Sequence, residues 1–193
     1  MKAKTILILL LVFQSLNSFG QSNYFPLWTY HQNNINIHGI SLGAGSLRME
    51  PRQTNTNGLK IELIGAGLLV FFAGSDPLES VDSLFLRGYP ISEKINGISF
   101  SSTGTVCECT TNGLNLGGIG NVNYKINGVN IAGLVNYTQI QNGLQLSLFG
   151  NYAGTINGLQ IGLVNNAKRL KGFQIGLWNK NNKRSLPLIN WSF

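Results

Sequence analysis

Residues 112–180 read NGLNLGGIGNVNYKINGVNIAGLVNYTQIQNGLQLSLFGNYAGTINGLQIGLVNNAKRLKGFQIGLWNK. One phrase recurs in this stretch, restarting at Gly113, Gly128, Gly143, Gly158 and Gly172, at steps of 15, 15, 15 and 14 residues. So even a period marks a repeat architecture and takes precedence over any local motif. Within each phrase large apolar residues alternate with small or amide ones: Leu159, Ile161 and Leu163 share one parity, Gln160 and Gly162 the other. Phe173, Ile175 and Leu177 repeat this against Gln174 and Gly176. Alternation by two is the mark of a β-strand with one apolar face, and the Gly and Asn content argues against helix. The phrase closes on Asn136, Asn151, Asn165 and Asn179, and the next Asn-Gly supplies a tight corner where positive φ is tolerated.

Two architectures fit a unit of one strand plus tight connections. In a β-solenoid each unit is one coil, and equivalent residues stack as ladders. In an antiparallel meander or small outer-membrane barrel each unit is one strand. The identical phase, the near-constant length and the Asn at every strand end favour the solenoid. On that reading the Leu/Ile face is the internal core, and the amide face is the surface on which a ligand is sought.

Outward from the repeats, residues 95–111 and 57–73 restart the phrase at Asn96-Gly97 and Asn57-Gly58, and residues 35–48 are a degenerate early copy. Phe25 to Tyr30 reads as a first strand that caps the sheet. Residues 74–94 form an insertion carrying Asp76, Glu79, Asp82 and Glu93, four of the seven acids. Asp76-Pro77-Leu78-Glu79 has the chemistry of a helix start, and Leu78, Val81 and Phe85 follow at helical spacing, which predicts a short helix over 77–86. At the other end Ile189, Trp191 and Phe193 alternate to the last residue. That ending resembles both a capping strand and the assembly signal of outer-membrane barrels.

Composition bounds the class. Only 11% of the 193 residues are charged, about half the usual share. Lys2 and Lys4 precede the apolar run Thr5 to Phe13, with Ser18 and Gly20 ahead of Gln21. This predicts a signal peptide over 1–20 and a single all-β repeat domain over 21–193, with 113–180 its most regular part. Loss of Lys2 and Lys4 lowers the formal charge from +7 to +5. Basic residues crowd the late turns, and Lys168, Arg169, Lys171 and Trp178 are the candidate surface-contact residues. They suit an anionic surface or polysaccharide; nucleic acid is not expected for an exported chain without a continuous basic face.

The phrases GLQIGLVN at 158–165 and GFQIGLWN at 172–179, with the ending LPLINWSF, resemble exported bacterial surface-repeat proteins. The resemblance covers about residues 35–193. It implies a Gram-negative cell-envelope location and carries no catalytic residues to transfer.

Motifs that could carry chemistry are few. Gly39-Ile-Ser41-Leu-Gly43 matches G-x-S-x-G, but the strand-turn-helix context that motif needs does not follow, and Ser41 occupies the slot of Gln160 and Gln174. Cys107 and Cys109 are the only cysteines. An exported compartment favours a disulfide between them, which requires a local kink because residues two apart on a flat strand sit near the limit for bridging. A zinc site would have only His31 and His38 to add. No P-loop, HExxH or EF-hand pattern occurs. The expectation is a non-enzymatic envelope protein without a cofactor, acting as a structural or adhesive scaffold. The alternatives are a small outer-membrane barrel and a carbohydrate-binding module using amide ladders and exposed aromatics. The expected partners are the outer membrane or an envelope polysaccharide.

Overall fold

The computed structural model describes residues 21–45, 52–68 and 92–193. Eleven strands are found among them: β1 (Ser22–Tyr24), β2 (Leu27–Thr29), β3 (Ile35–Gly43), β4 (Thr54–Glu62), β5 (Glu93–Ser101), β6 (Val106–Gly117), β7 (Gly120–Ala132), β8 (Val135–Ser147), β9 (Gly150–Ile161), β10 (Val164–Lys180) and β11 (Ser185–Ser192). From β3 to β10 every neighbour is the next strand in sequence, and every pair is parallel. The register equals the repeat: Gly143 sits beside Gly158, Leu144 beside Leu159 and Gln145 beside Gln160. The fold is a β-solenoid of about eight turns. Parallel stacking replaces the antiparallel meander and barrel alternatives from β3 to β10. The helix expected over 77–86 lies outside those residues, and strand structure has resumed by Glu93.

The corners explain the Asn-Gly signal. Gly158 has φ +143°, and a Cβ there would run into the backbone carbonyl of Gly143 on the coil below. A side chain is therefore excluded twice, by dihedral and by contact. A second turn, such as Leu148–Phe149 between β8 and β9, completes the coil.

The direction of the two faces is the reverse of the sequence expectation. Gln174 is 0% exposed, whereas its neighbours Phe173 and Ile175 are 46% and 42% exposed. The same holds along the array, where Asn115, Asn130, Gln145 and Gln160 are all buried in one row. These amides bond rung to rung: Gln160 Nε2 donates to Gln145 Oε1 at 2.8 Å, and Gln174 Nε2 to Gln160 Oε1 at 2.7 Å. Adjacent strands stand about 4.8 Å apart, which lets an amide donate to its equivalent above and accept from its equivalent below. An aliphatic side chain cannot use that geometry.

The strand-end asparagines form a second buried ladder. Asn136 Nδ2 donates to Asn151 Oδ1 at 3.1 Å, Asn151 to Asn165 at 2.9 Å, and Asn165 to Asn179 at 2.8 Å. Asn136, Asn151 and Asn165 also reach across the coil to a carbonyl ten residues on, as Asn151 does to Ile161 O at 2.7 Å. This bond ties the segment after the turn to the strand that begins the next coil. Apolar residues inside are fewer, in short groups such as Ala153, Ile156, Ala167 and Leu170.

The last strand closes the array. β11 runs antiparallel to β10, setting Trp191 beside Phe173 and Ile189 beside Ile175. Asn190 Nδ2 donates to Gln174 Oε1 at 2.9 Å and so ends the amide ladder. Pro187 and the positive φ of Leu188 (63°) interrupt this strand, which blunts an otherwise open edge.

Candidate functional site

The outward rows are the most distinctive surface. One runs Leu27, Ile40, Leu59, Ile98, Leu114, Val129, Leu144, Leu159, Phe173 and Trp191. The next runs Leu42, Ile61, Phe100, Leu116, Ile131, Leu146, Ile161, Ile175 and Ile189. The second row starts at Thr29 on β2, and from β3 to β11 neither row contains a polar or charged residue. Ten strands at about 4.8 Å spacing make the rows roughly 40–45 Å long. Along one edge the turn residues add to them: Leu148, Phe149, Leu163, Val164, Leu177 and Trp178 are all exposed. Along the other edge runs an asparagine ladder, Asn57, Asn96, Asn112, Asn127, Asn142 and Asn157, bonded at 2.6–2.8 Å. Its next rung is Lys171.

At the C-terminal end, aromatic and cationic groups meet. Phe193 packs edge-on against Phe173 at 5.4 Å. Arg184 lies 4.4 Å over the Trp191 ring, donates to Trp191 O at 2.6 Å and to Asn190 Oδ1 at 3.0 Å. The candidate contact residues divide accordingly. Lys171 and Trp178 flank the apolar face on opposite edges. Lys168 and Arg169 are exposed on the segment before the Gly172 corner, where Arg169 Nε donates to Thr155 Oγ1 at 3.0 Å.

A second constellation is buried in the first coils, and the sequence reading missed it. Lys60 and Glu62 occupy inward slots that later repeats fill with amides and small residues. Lys60 Nζ donates to Glu93 Oε2, and Arg52 stands 3.3 Å from the other oxygen of Glu93. Lys60 Nζ also lies 4.2 Å over the Tyr30 ring. Burial, together with the Glu62 and Glu93 carboxylates, pushes the Tyr30 hydroxyl far above its ordinary range, so it stays protonated. His31 accepts from the Ala44 amide at Nε2 (3.1 Å) and sets Nδ1 3.3 Å from Arg52. Burial first, then the Arg52 guanidinium, lowers its pKa below the usual 6.5. Lys60, Glu62, Glu93, Arg52 and Tyr30 are each 0–2% exposed, so the cluster is a sealed structural group rather than a place for a substrate. The available signal was a lone charge in an amide slot.

Ser41 is buried and accepts from Thr56 Oγ1 at 3.1 Å, inside strand β3. Cys107 and Cys109 form a disulfide with Cα atoms 5.2 Å apart. The register of β6 against β7 jumps between Cys107 and Thr110, which is the kink such a pair needs. Asn55, Lys94, Thr110, Asn112, Lys125 and Asn127 line a shallow polar groove that adjoins the asparagine edge. Among the described residues no three His, Cys, Asp or Glu side chains are grouped to hold a metal ion.

Comparison with known protein families, curated proteins and solved structures finds no match to this chain.

Proposed function

We propose that this chain is a non-enzymatic structural or adhesive scaffold of a Gram-negative cell envelope, and that its working part is the outward apolar face. The observation that carries the reading is the pair of unbroken apolar rows on the outside of an amide-cored solenoid. Exposed contiguous apolar surface of this extent is characteristic of interaction sites. The fold does not need those side chains inside, because the buried amide ladders already satisfy one another. The signal-like residues 1–20, the low charge content and the resemblance of the repeat phrase to surface-repeat proteins support an exported location. The buried Gln row favours the scaffold over a carbohydrate module, since those amides do not face solvent.

The test is expression with export, followed by fractionation of the envelope. The expected result is retention with the envelope for the natural chain and release of an F173S/I175S/L177S variant. Free periplasmic protein in both cases overturns the reading, as does turnover of a defined small molecule by the purified chain.

A further inference from the structure

We infer that the apolar face docks in the plane of a lipid leaflet bearing anionic headgroups. This rests on the reading of that face as the working surface, and it names the occupant. Three observations select lipid. First, residues 109–193 contain seven Lys and Arg and no Asp or Glu. A second copy placed face to face in parallel would bring two such cationic halves together, whereas an anionic leaflet complements them.

Second, the cations lie where an interface would need them. Lys171 is two residues before Phe173 on the asparagine edge, Arg184 covers Trp191, and Lys180 and Lys183 follow the Trp178 turn. Third, Phe173, Trp178, Trp191 and Phe193 cluster on the same end of the face. Aromatic side chains beside cations are the composition favoured at the headgroup level. Beyond the asparagine edge the surface changes: the row two residues earlier runs Lys94, Thr110, Lys125, Ile140, Thr155 and Arg169. A solenoid of this kind lies on a leaflet, with its apolar side chains in the upper acyl region and its cations at the phosphates.

The experiment uses the full chain, exported and purified, floated with vesicles of phosphatidylcholine alone or mixed with phosphatidylglycerol. The expected result is flotation with the mixed vesicles, a blue shift of tryptophan emission on binding, and weaker binding at high salt. F173S/I175S/L177S should lose flotation while keeping its far-ultraviolet circular dichroism. K171Q/K180Q/K183Q should lower binding to the mixed vesicles about a hundredfold, at roughly 1 kcal/mol per basic residue near the surface. K94Q/K125Q, beyond the asparagine edge, should leave it unchanged.

No flotation with either vesicle overturns the inference, as does flotation indifferent to the face substitutions. A solution dimer that those substitutions convert to monomer, without vesicle binding, assigns the face to a second copy and also overturns it. Envelope retention without vesicle binding removes the lipid inference and leaves the scaffold reading standing. Vesicle binding without envelope retention does the opposite.

Discussion

The coils over 113–180 and the earlier ones carried by β3, β4 and β5 share one strand geometry and differ in what fills it. In the late coils the interior is translationally uniform, with Gln145, Gln160 and Gln174 bonded in one line and Asn136, Asn151, Asn165 and Asn179 in another. Each amide meets its own kind, so adding a coil adds the same bonds. In the early coils the same slots hold Lys60 and Glu62; Lys60 needs an unlike partner, Glu93, which also pairs with Arg52, and both come from other places in the chain. Uniform amides make a core that extends. The ionic group makes a core that is unique, and it fixes which segments meet at the N-terminal end. Buried ion pairs add little net stability when intact and are costly when broken, so the early coils should be the more fragile half.

The sharpest way to break that contrast is to remove one charge. Glu93→Gln keeps the shape but takes the counter-charge from Lys60 and one partner from Arg52. We expect a loss of about 3–5 kcal/mol, read as a lower urea midpoint in chemical denaturation.

The matching change in the late coils is Asn151→Ala. It deletes bonds to Asn165 and Ile161 O and leaves the Asn136 amide with only one of its two acceptors. A loss of about 2–3 kcal/mol is expected in the same assay. A larger cost than that of Glu93→Gln would reverse the ranking of the two halves.

The effect of pH is smaller and confined to the early coils. The folded state lowers the pKa of His31, so the unfolded chain binds the proton more readily. The stability His31 contributes is full above about pH 6.5 and is lost as pH falls through that value toward the lowered one. Protonation would cost the acceptor for the Ala44 amide and place charge beside Arg52. The midpoint should therefore drop between about pH 7.5 and 5.5, and His31→Gln should flatten part of that drop. An identical pH profile in the variant would assign the dependence to other groups.

The smallest expected effect is on the outside. Ile175→Ser on the exposed row should change stability by no more than about 0.5 kcal/mol. A large loss there would mean that the outward rows hold the fold together after all.

Much of this architecture was legible in residue order. The even spacing of Gly113, Gly128, Gly143 and Gly158 gave the period, and Asn-Gly gave the corner that Gly158 occupies at positive φ. The alternating end, Ile189 to Phe193, left a capping strand and a barrel signal open, and the structure makes it a capping strand antiparallel to β10. Lys171 and Trp178 were singled out from composition, and both border the apolar face. The buried charges were not legible, because a lone Lys60 or Glu62 in an alternating strand normally points to water. Their partner Glu93 is 33 residues away from Lys60, a pairing that only coil stacking creates.

By itself, the sequence determined the strand period, the phase of the two parities and the positions of the corners, because these follow from local dihedral preference and from side chains alternating by two. Tertiary structure alone decided which parity faces inward. Alternation defines two faces without labelling either as the core. The label comes from the neighbouring coil, which offers each amide a partner one rung away and makes the amide face the one that can be buried fully bonded.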